Sequence, residues 1–318
     1  MFSYRHAFHA GNHADVLKHT VLIAILKHLT AKDAALTVID THAGAGLYRL
    51  DGDYSSTGGE AVDGIFKLFS AVAPTGTAKS AIKEIVKDVV PPLQDYIDLV
   101  ASFNRGGQLK VYPGSPFVVQ SLLRDEARDK LKLFELHPTD HKALVGHIEQ
   151  LQSGRQVAVE RKDGFEGLKS FLPPPVSATG SRRALVLIDP SYEIKTDYGT
   201  VASCIQDCLK RFATGTYAVW YPVIPRPEAH ELPRRLKTLA TQAGKPWLHA
   251  TLNIGQGPEM SEITVPGERA PRPGLTASGM FVINPPHTLK ATLQATLPQL
   301  LAVLGRGRGK GWTVDGGG

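Results

Sequence analysis

A carboxylate, a proline and an aromatic residue follow one another in Leu185-Val186-Leu187-Ile188-Asp189-Pro190-Ser191-Tyr192, where a short apolar run predicts a buried strand ending at Asp189. That order of groups suits alkylation of an exocyclic amine on an aromatic base. Such a nitrogen is a poor nucleophile because its lone pair is delocalised into the ring. The Asp189 carboxylate and the Pro190 carbonyl can accept its two N–H bonds, which orients the amine and concentrates charge on nitrogen. Proline removes a competing backbone donor, and the Tyr192 ring can stack on the base. Asp189, Pro190 and Tyr192 are therefore the candidate catalytic residues, with Tyr192 also a candidate substrate contact.

Three further strand ends carry acidic residues. Val38-Ile39-Asp40-Thr41-His42-Ala43-Gly44-Ala45-Gly46 places glycines where a ligand can approach the backbone, although any tight strand-to-helix turn could use them. Arg49 stands where the dinucleotide fingerprint needs its third glycine, which argues against a nicotinamide or flavin cofactor. An acidic residue ahead of such a turn is instead similar to the first motif of S-adenosylmethionine-dependent methyltransferases. Glu135, in Phe134-Glu135-Leu136-His137, can accept both hydroxyls of a ribose or stand solvated at a strand end. Asp163, in Glu160-Arg161-Lys162-Asp163-Gly164-Phe165, can accept from an adenine amino group, N-cap the next helix, or do both.

Two other groupings invite chemistry. Asn284-Pro285-Pro286-His287 resembles an amine-methylating tetrapeptide, but it lacks the aromatic residue and follows the last predicted strand, so it reads as a strand exit. His6, His9, His13 and His19 suggest a metal. Gly11 interrupts any helix from His9 to His13 and no local cysteine completes a set, so no metal is expected. The segment suits contact with a nucleotide or phosphate instead.

These residues need a scaffold. Short β-rich runs at Leu36–Asp40, Lys132–Leu136, Gln156–Glu160, Ala184–Asp189, Thr216–Tyr221, Leu248–Asn253 and Met280–Asn284 alternate with helical stretches. The helices are Asp140–Gln152, Gly164–Phe171, Asp197–Arg211, Glu228–Ala243 and Leu289–Leu304. That alternation predicts an α/β fold with a mostly parallel, doubly wound sheet. Asn12–Thr30 forms a further helix, with Leu17, Val21, Ile25 and Leu29 at helical spacing. About ninety residues separate the first two strands, far more than a crossover requires. Pro116–Asp129 supplies the crossover helix, with Ser115 as N-cap. The predicted organisation is one domain over 1–51 and 111–304, with a small helical subdomain, residues 52–110, inserted beside the end of the first strand. That insertion is either a substrate arm, with Lys67, Lys79, Lys83, Lys87, Arg105 and Lys110 on phosphates, or a solvated decoration. Residues 305–318, glycines interleaved with Arg306, Arg308 and Lys310, read as a flexible tail.

Composition narrows the classes. The 318 residues are 42% hydrophobic and 21% charged, ordinary for a globular chain. The net charge of +6 permits a polyanionic partner without establishing one. Cys204 and Cys208, one helical turn apart, suit neither a disulfide framework nor a zinc site. No apolar run predicts a membrane span or signal peptide, so a cytoplasmic protein is expected.

With these residues in view, the sequence closely resembles the bacterial RlmJ family, adenine-N6 methyltransferases of 23S ribosomal RNA. The resemblance runs from Tyr4-Arg5-His6 and Lys18-His19 through Asp40–Gly46, Tyr112-Pro113-Gly114-Ser115-Pro116 and Glu135-Leu136-His137-Pro138. It continues through Asp163-Gly164, Asp189-Pro190-Ser191-Tyr192-Glu193 and Lys195–Tyr198 to Arg211–Gly215 and Thr276–Met280. It implies a Rossmann-like methyltransferase domain with an inserted helical subdomain, S-adenosylmethionine as methyl donor and 23S rRNA as partner. No membrane and no obligate protein partner are expected. It also implies that His19, His42, Ser115, Glu135, Asp163, Gly164 and Asp189 line the cofactor site, with the turn glycines Gly44 and Gly46. Asp189 would be catalytic and Tyr4 would contact the target nucleotide. Ser191 departs from the family pattern, which usually has a second proline there, and puts the loop's rigidity in question. The alternatives are methylation of adenine N6 in DNA, for which no groove-reading motif is apparent, and a non-catalytic RNA-binding protein that retains the fold.

Overall fold

The computed structural model describes residues 6–51, 60–72, 88–256 and 274–318. Helix α1 (His13–Thr30) starts at Asn12, whose side-chain oxygen accepts from the Ala14 and Asp15 N–H groups. Gly11, at φ +79°, turns the chain into that cap, so the helix does not reach back to His9. Strand β1 (Thr37–Asp40) is followed by the short β2 (Leu47–Arg49). The long interval then contributes α2 (Lys67–Val72) and α3 (Pro91–Ser102). It returns through β3 (Val111–Pro113), which pairs antiparallel with β2 and forms a two-stranded neck.

Beyond the neck the predicted alternation sets in. Helix α4 (Ser115–Gln120) leads to β4 (Lys130–Phe134), α5 (Pro138–Gln150) to β5 (Val157–Glu160), and α6 (Gly164–Leu168) to β6 (Ala184–Ile188). Helix α7 (Thr196–Arg211) leads to β7 (Thr216–Pro222), and α8 (Pro227–Gln242) to β8 (Trp247–Asn253). Strand β9 (Ala277–Ile283), helix α9 (Leu289–Leu304) and strand β10 (Gly311–Gly317) complete the described chain. The large sheet has the order β10-β8-β9-β7-β6-β1-β4-β5. β5, β4, β1, β6 and β7 run parallel, whereas β9, β8 and β10 each pair antiparallel. The chain winds outward from β1 through β4 to β5, then crosses back to β6 on the other side of β1. That reversal opens a crevice at the C-terminal ends of β1, β4 and β6.

Strand alternation divides the core into two layers. Leu185 and Leu187 of β6 join α1 and α9 on one face of the sheet; Val186 and Ile188 join α7 and α8 on the other. Every residue of β6 is buried, as its unbroken apolar run requires.

Three expectations are corrected. The crossover helix ends at Gln120, and Gly114, not Ser115, is its N-cap. Residues 121–129 instead fold around the fully buried Asp129 carboxylate, which accepts from Arg124 N and Nε and from Leu36 N. The described part of the insertion has no core of its own: Ile65, Leu68, Tyr96 and Val100 lie in one apolar cluster with Leu17 and Val21 of α1. Lys79, Lys83 and Lys87 lie outside the described residues. The predicted flexible tail holds β10, with Trp312 opposite Leu252 and Val314 opposite Ala250. Glycine does not prevent an edge strand when the backbone hydrogen bonds are made and Trp312 and Val314 cover one side of the core.

Candidate active site

Four parallel strand ends and the first half of α1 converge on one cleft. β1 delivers His42 and Gly44, β4 delivers Glu135, β5 delivers Asp163 and Gly164, and β6 delivers Asp189 with Pro190. His19 from α1 and Ser115 from α4 close the far side. Strand-end residues up to 148 positions apart, His42 and Pro190, thus line one cleft because parallel strands all end on one edge, about 4.8 Å from each neighbour.

Each strand end is shaped for close approach. Glu135 Oε2 accepts from Gly44 N at 2.8 Å and Oε1 from His137 N at 2.7 Å, so its carboxylate is held across the β1 turn. Burial nonetheless raises its pKa. Gly164 admits no side chain, since a Cβ there would collide with the Thr41 carbonyl oxygen. Asp163 caps α6 through Oδ1, which accepts from Phe165 N and Glu166 N, while the residue also lines the cleft. Ser115 donates from Oγ to Asp40 Oδ2 at 2.7 Å. Asp40 lies fully buried behind the lining, and burial pushes its pKa up to about 6 against the Ser115 and His42 hydrogen bonds. Burial also lowers His42 to about 4 and His19 to about 3, so both rings are neutral near pH 7.

At the β6 end, Lys18 Nζ lies 2.5 Å from Asp189 Oδ2 and 2.8 Å from Asp15 Oδ1. His6 Nε2 reaches Asp15 Oδ2 at 3.0 Å, extending the network to the mouth of the cleft. Burial opposes the Lys18 charge, but Asp15 and Asp189 outweigh it and raise its pKa well above the usual range. Burial likewise opposes ionisation of Asp15, and His6 and Lys18 overcome it. Lys18 is thus a permanent cation that fixes one oxygen of Asp189. Sequence reasoning did not select it.

Two predicted residues have other roles. Tyr192 is buried, with φ +54°, and its ring packs on Tyr198 at 4.6 Å and Trp220 at 6.0 Å. Its hydroxyl donates to the Trp220 carbonyl, and its own carbonyl accepts from Arg226 Nη1 at 3.4 Å. In place of the expected stacking on a base, it anchors the loop that carries Pro190 and Ser191. Gly46 does not line the cleft; at φ +80° a Cβ there would press on Leu144 and Phe117, so it serves the turn's packing. Tyr4 lies outside the described residues. The histidines divide among separate partners: besides His6, His9 binds Glu60, His13 the Leu275 carbonyl, and His19 Tyr112.

Residues 33–315 match the family model described as "Ribosomal RNA large subunit methyltransferase D, RlmJ". The chain belongs to the RlmJ family. It is 42% identical over 300 residues to Ribosomal RNA large subunit methyltransferase J of Escherichia coli K12, covering 94% of this chain and 93% of that protein. The Haemophilus influenzae Rd protein of the same name is 38% identical over 316 residues, 99% of this chain and 98% of its relative. The crystal structure of protein LPL1258 from Legionella pneumophila superposes with a TM-score of 0.76 at 30% identity, covering 97% of this chain and 98% of that one. As an RlmJ-family member the chain is a methyltransferase with a Rossmann-like α/β fold. Among the described residues, no helix is long and apolar enough to cross a membrane.

Proposed function

We propose that this enzyme transfers the methyl group of S-adenosylmethionine to the exocyclic N6 amine of an adenosine in 23S rRNA, and that the β1–β4–β5–β6 cleft is where it does so. The observation that carries the reading is Asp189 at the end of β6, in one cleft with the Gly44 turn and two further strand-end carboxylates. These residues fit that cofactor. Glu135 offers oxygens to ribose hydroxyls and Asp163 an acceptor for the adenine amino group. The glycine backbone at Gly44 and Gly164 leaves room, and the buried His19 Nε2, unpartnered among the described residues, points to a missing polar group. When bound, the cofactor supplies an electrophilic methyl group.

The chain's own part is orientation. Lys18 holds Oδ2 of Asp189, leaving Oδ1 to accept one hydrogen of the target amine. The Pro190 carbonyl accepts the other. Two acceptors on one amine draw its nitrogen lone pair out of conjugation and towards the incoming methyl group. Tyr192 fixes the loop from behind, so Ser191 does not leave the Pro190 carbonyl unsupported. The family's name refers to ribosomal RNA of the large subunit, which favours RNA over DNA as the polymer.

The test is methyl incorporation from labelled cofactor into transcribed 23S rRNA and duplex DNA, with mass mapping of the product. N6-methyladenosine at one position in the RNA is expected. Preferential labelling of DNA would favour the DNA alternative, and no incorporation into either would sink the reading.

A further inference from the structure

Behind the cleft a chain of hydrogen bonds runs from the inserted segment to His19. Tyr96 of α3 and Tyr112 of β3 are both fully buried. Their hydroxyls lie 3.0 Å apart, and the Tyr112 hydroxyl lies 2.8 Å from His19 Nδ1. The Tyr112 and His19 rings are stacked, with centroids 5.5 Å apart and planes 21° from parallel, so the imidazole plane is set. The other ring nitrogen, Nε2, is buried with no protein partner among the described residues, on a side chain that lines the cleft.

Counting hydrogens gives this chain a direction. A neutral imidazole carries one N–H, and each hydroxyl has one hydrogen to donate. If Tyr96 donates to Tyr112 and Tyr112 donates to Nδ1, both hydroxyl hydrogens have acceptors, and the one hydrogen left over is the imidazole's, on Nε2 of a side chain that lines the cleft. If Nδ1–H donates to Tyr112 and Tyr112 to Tyr96, the Tyr96 hydrogen is left buried with no acceptor among the described residues. Each arrangement leaves one hydrogen over: the first on a side chain facing the cleft, where water or a ligand can accept it, the second sealed in the core with Nε2 also left a bare acceptor. That difference favours the first.

We propose that Tyr112, backed by Tyr96, is a positioning residue that holds His19 as its Nε2–H tautomer, and that this N–H is presented to the carboxylate of the cofactor's amino-acid end. The acceptor rests on the cofactor reading given above; the tautomer does not. A donor at Nε2 turns away the ammonium of that end and selects its carboxylate. Glu135 and Asp163, at other strand ends of the cleft, offer acceptors that suit the hydroxyls and amino group of the nucleoside. His19 follows directly on Lys18, which grips Asp189, and both side chains line the cleft.

Long-range proton–nitrogen correlation NMR on the ¹⁵N-labelled protein reads the tautomer without any ligand. Wild type is expected to show a protonated Nε2 and a bare Nδ1. Tyr112→Phe should give a mixture of tautomers, whereas Tyr96→Phe should keep Nε2–H, because Tyr112 can still donate to His19. By calorimetry, Tyr112→Phe should weaken S-adenosylhomocysteine about tenfold, the order expected for one misaligned hydrogen bond to a charged group. It should leave 5′-methylthioadenosine, which has no amino-acid end, within about twofold. A protonated Nδ1 in wild type overturns the direction of the chain. Equal weakening of both ligands shows that the tyrosine acts only through structure and overturns the carboxylate assignment. If neither ligand binds wild type, the cofactor reading fails and the acceptor fails with it, and the NMR result then judges the tyrosine chain alone.

Discussion

Two strands of this sheet end in an Asp or Asn followed by proline, and the molecule uses the two exits in opposite ways. β6 runs parallel to β7, with Ile188 opposite Val219, so Asp189 emerges at the C-terminal edge of the parallel strands. β9 runs antiparallel to β7, with Ile283 opposite Tyr217, so Asn284 emerges at the other edge. There its side-chain amide donates to the Ala213 and Gly215 carbonyls, and its φ of +52° turns the chain out of the sheet. Asp189 spends one oxygen on Lys18 and faces the cleft. A tetrapeptide therefore has no chemistry of its own; strand direction decides which exit meets the other strand ends.

The sharpest way to break this contrast is Asp189→Ala. Methyl transfer should fall by about 10²–10³-fold, the cost of removing a polar group aimed at the reacting centre, with thermal stability largely kept. Turnover within a few-fold of wild type would refute the assignment. A second measurement concerns Asp40, at the matching end of β1. Its carboxyl titrates near 6 in the folded protein against a usual 3.8, so the folded state favours the protonated form. Wild type should lose up to about 3 kcal/mol of stability as pH rises from about 4 to above 6. Asp40→Asn has no such loss, so denaturant melts at pH 4, 5 and 7 should show the variant gaining relative to wild type. A constant difference would mean that Asp40 is ionised throughout.

Asn284→Ala probes the other exit. It removes both side-chain hydrogen bonds and should cost about 2 kcal/mol of stability, while the rate at a temperature where the variant is folded stays near wild type. A rate loss comparable to that of Asp189→Ala would erase the contrast. Glu135→Ala should weaken cofactor about tenfold and leave turnover at saturating cofactor little changed, because a ribose contact contributes equally to ground and transition states. An unchanged dissociation constant by calorimetry would remove Glu135 from the site. The smallest effect is expected from Ser191→Pro. The loop is already held through Tyr192, so turnover should change less than about fivefold; a larger gain would show that Ser191 leaves it slack.

The strand-end residues could be found from sequence because an apolar run fixes where a strand stops, and parallel strands stop on one edge. Their order in the chain was enough to group Glu135, Asp163 and Asp189 without any knowledge of distances. Lys18 escaped because the stripe Leu17, Val21, Ile25 and Leu29 accounts for the helix by itself and leaves open what the charges of Asp15 and Lys18 pair with. The missed signal is that Val16, Leu22, Ile23 and Leu26 make α1 apolar on nearly every side. A helix of that kind is enclosed, and its charges must be paired. Tyr192 was misjudged for a different reason: sequence order says that an aromatic ring is near the target base, but only the backbone conformation decides to which side it turns. The Gly-rich C-terminal segment hid β10 because an edge strand is specified by long-range backbone pairing that composition does not register.

Helix α3 also bears on how this protein can be recombined. It lies against α1, is tied to it by Lys27 and Asp95 at 2.6 Å, and places Tyr96 in hydrogen-bond contact with Tyr112, the residue that contacts His19. The inserted segment is therefore not a cassette. A chimaera that exchanges it between two relatives, while leaving α1 behind, would set Tyr96, Ile97 and Val100 against a surface shaped for other side chains. Crossover points that carry α1 together with the insertion should yield folded hybrids; junctions at the β2–β3 neck alone should not.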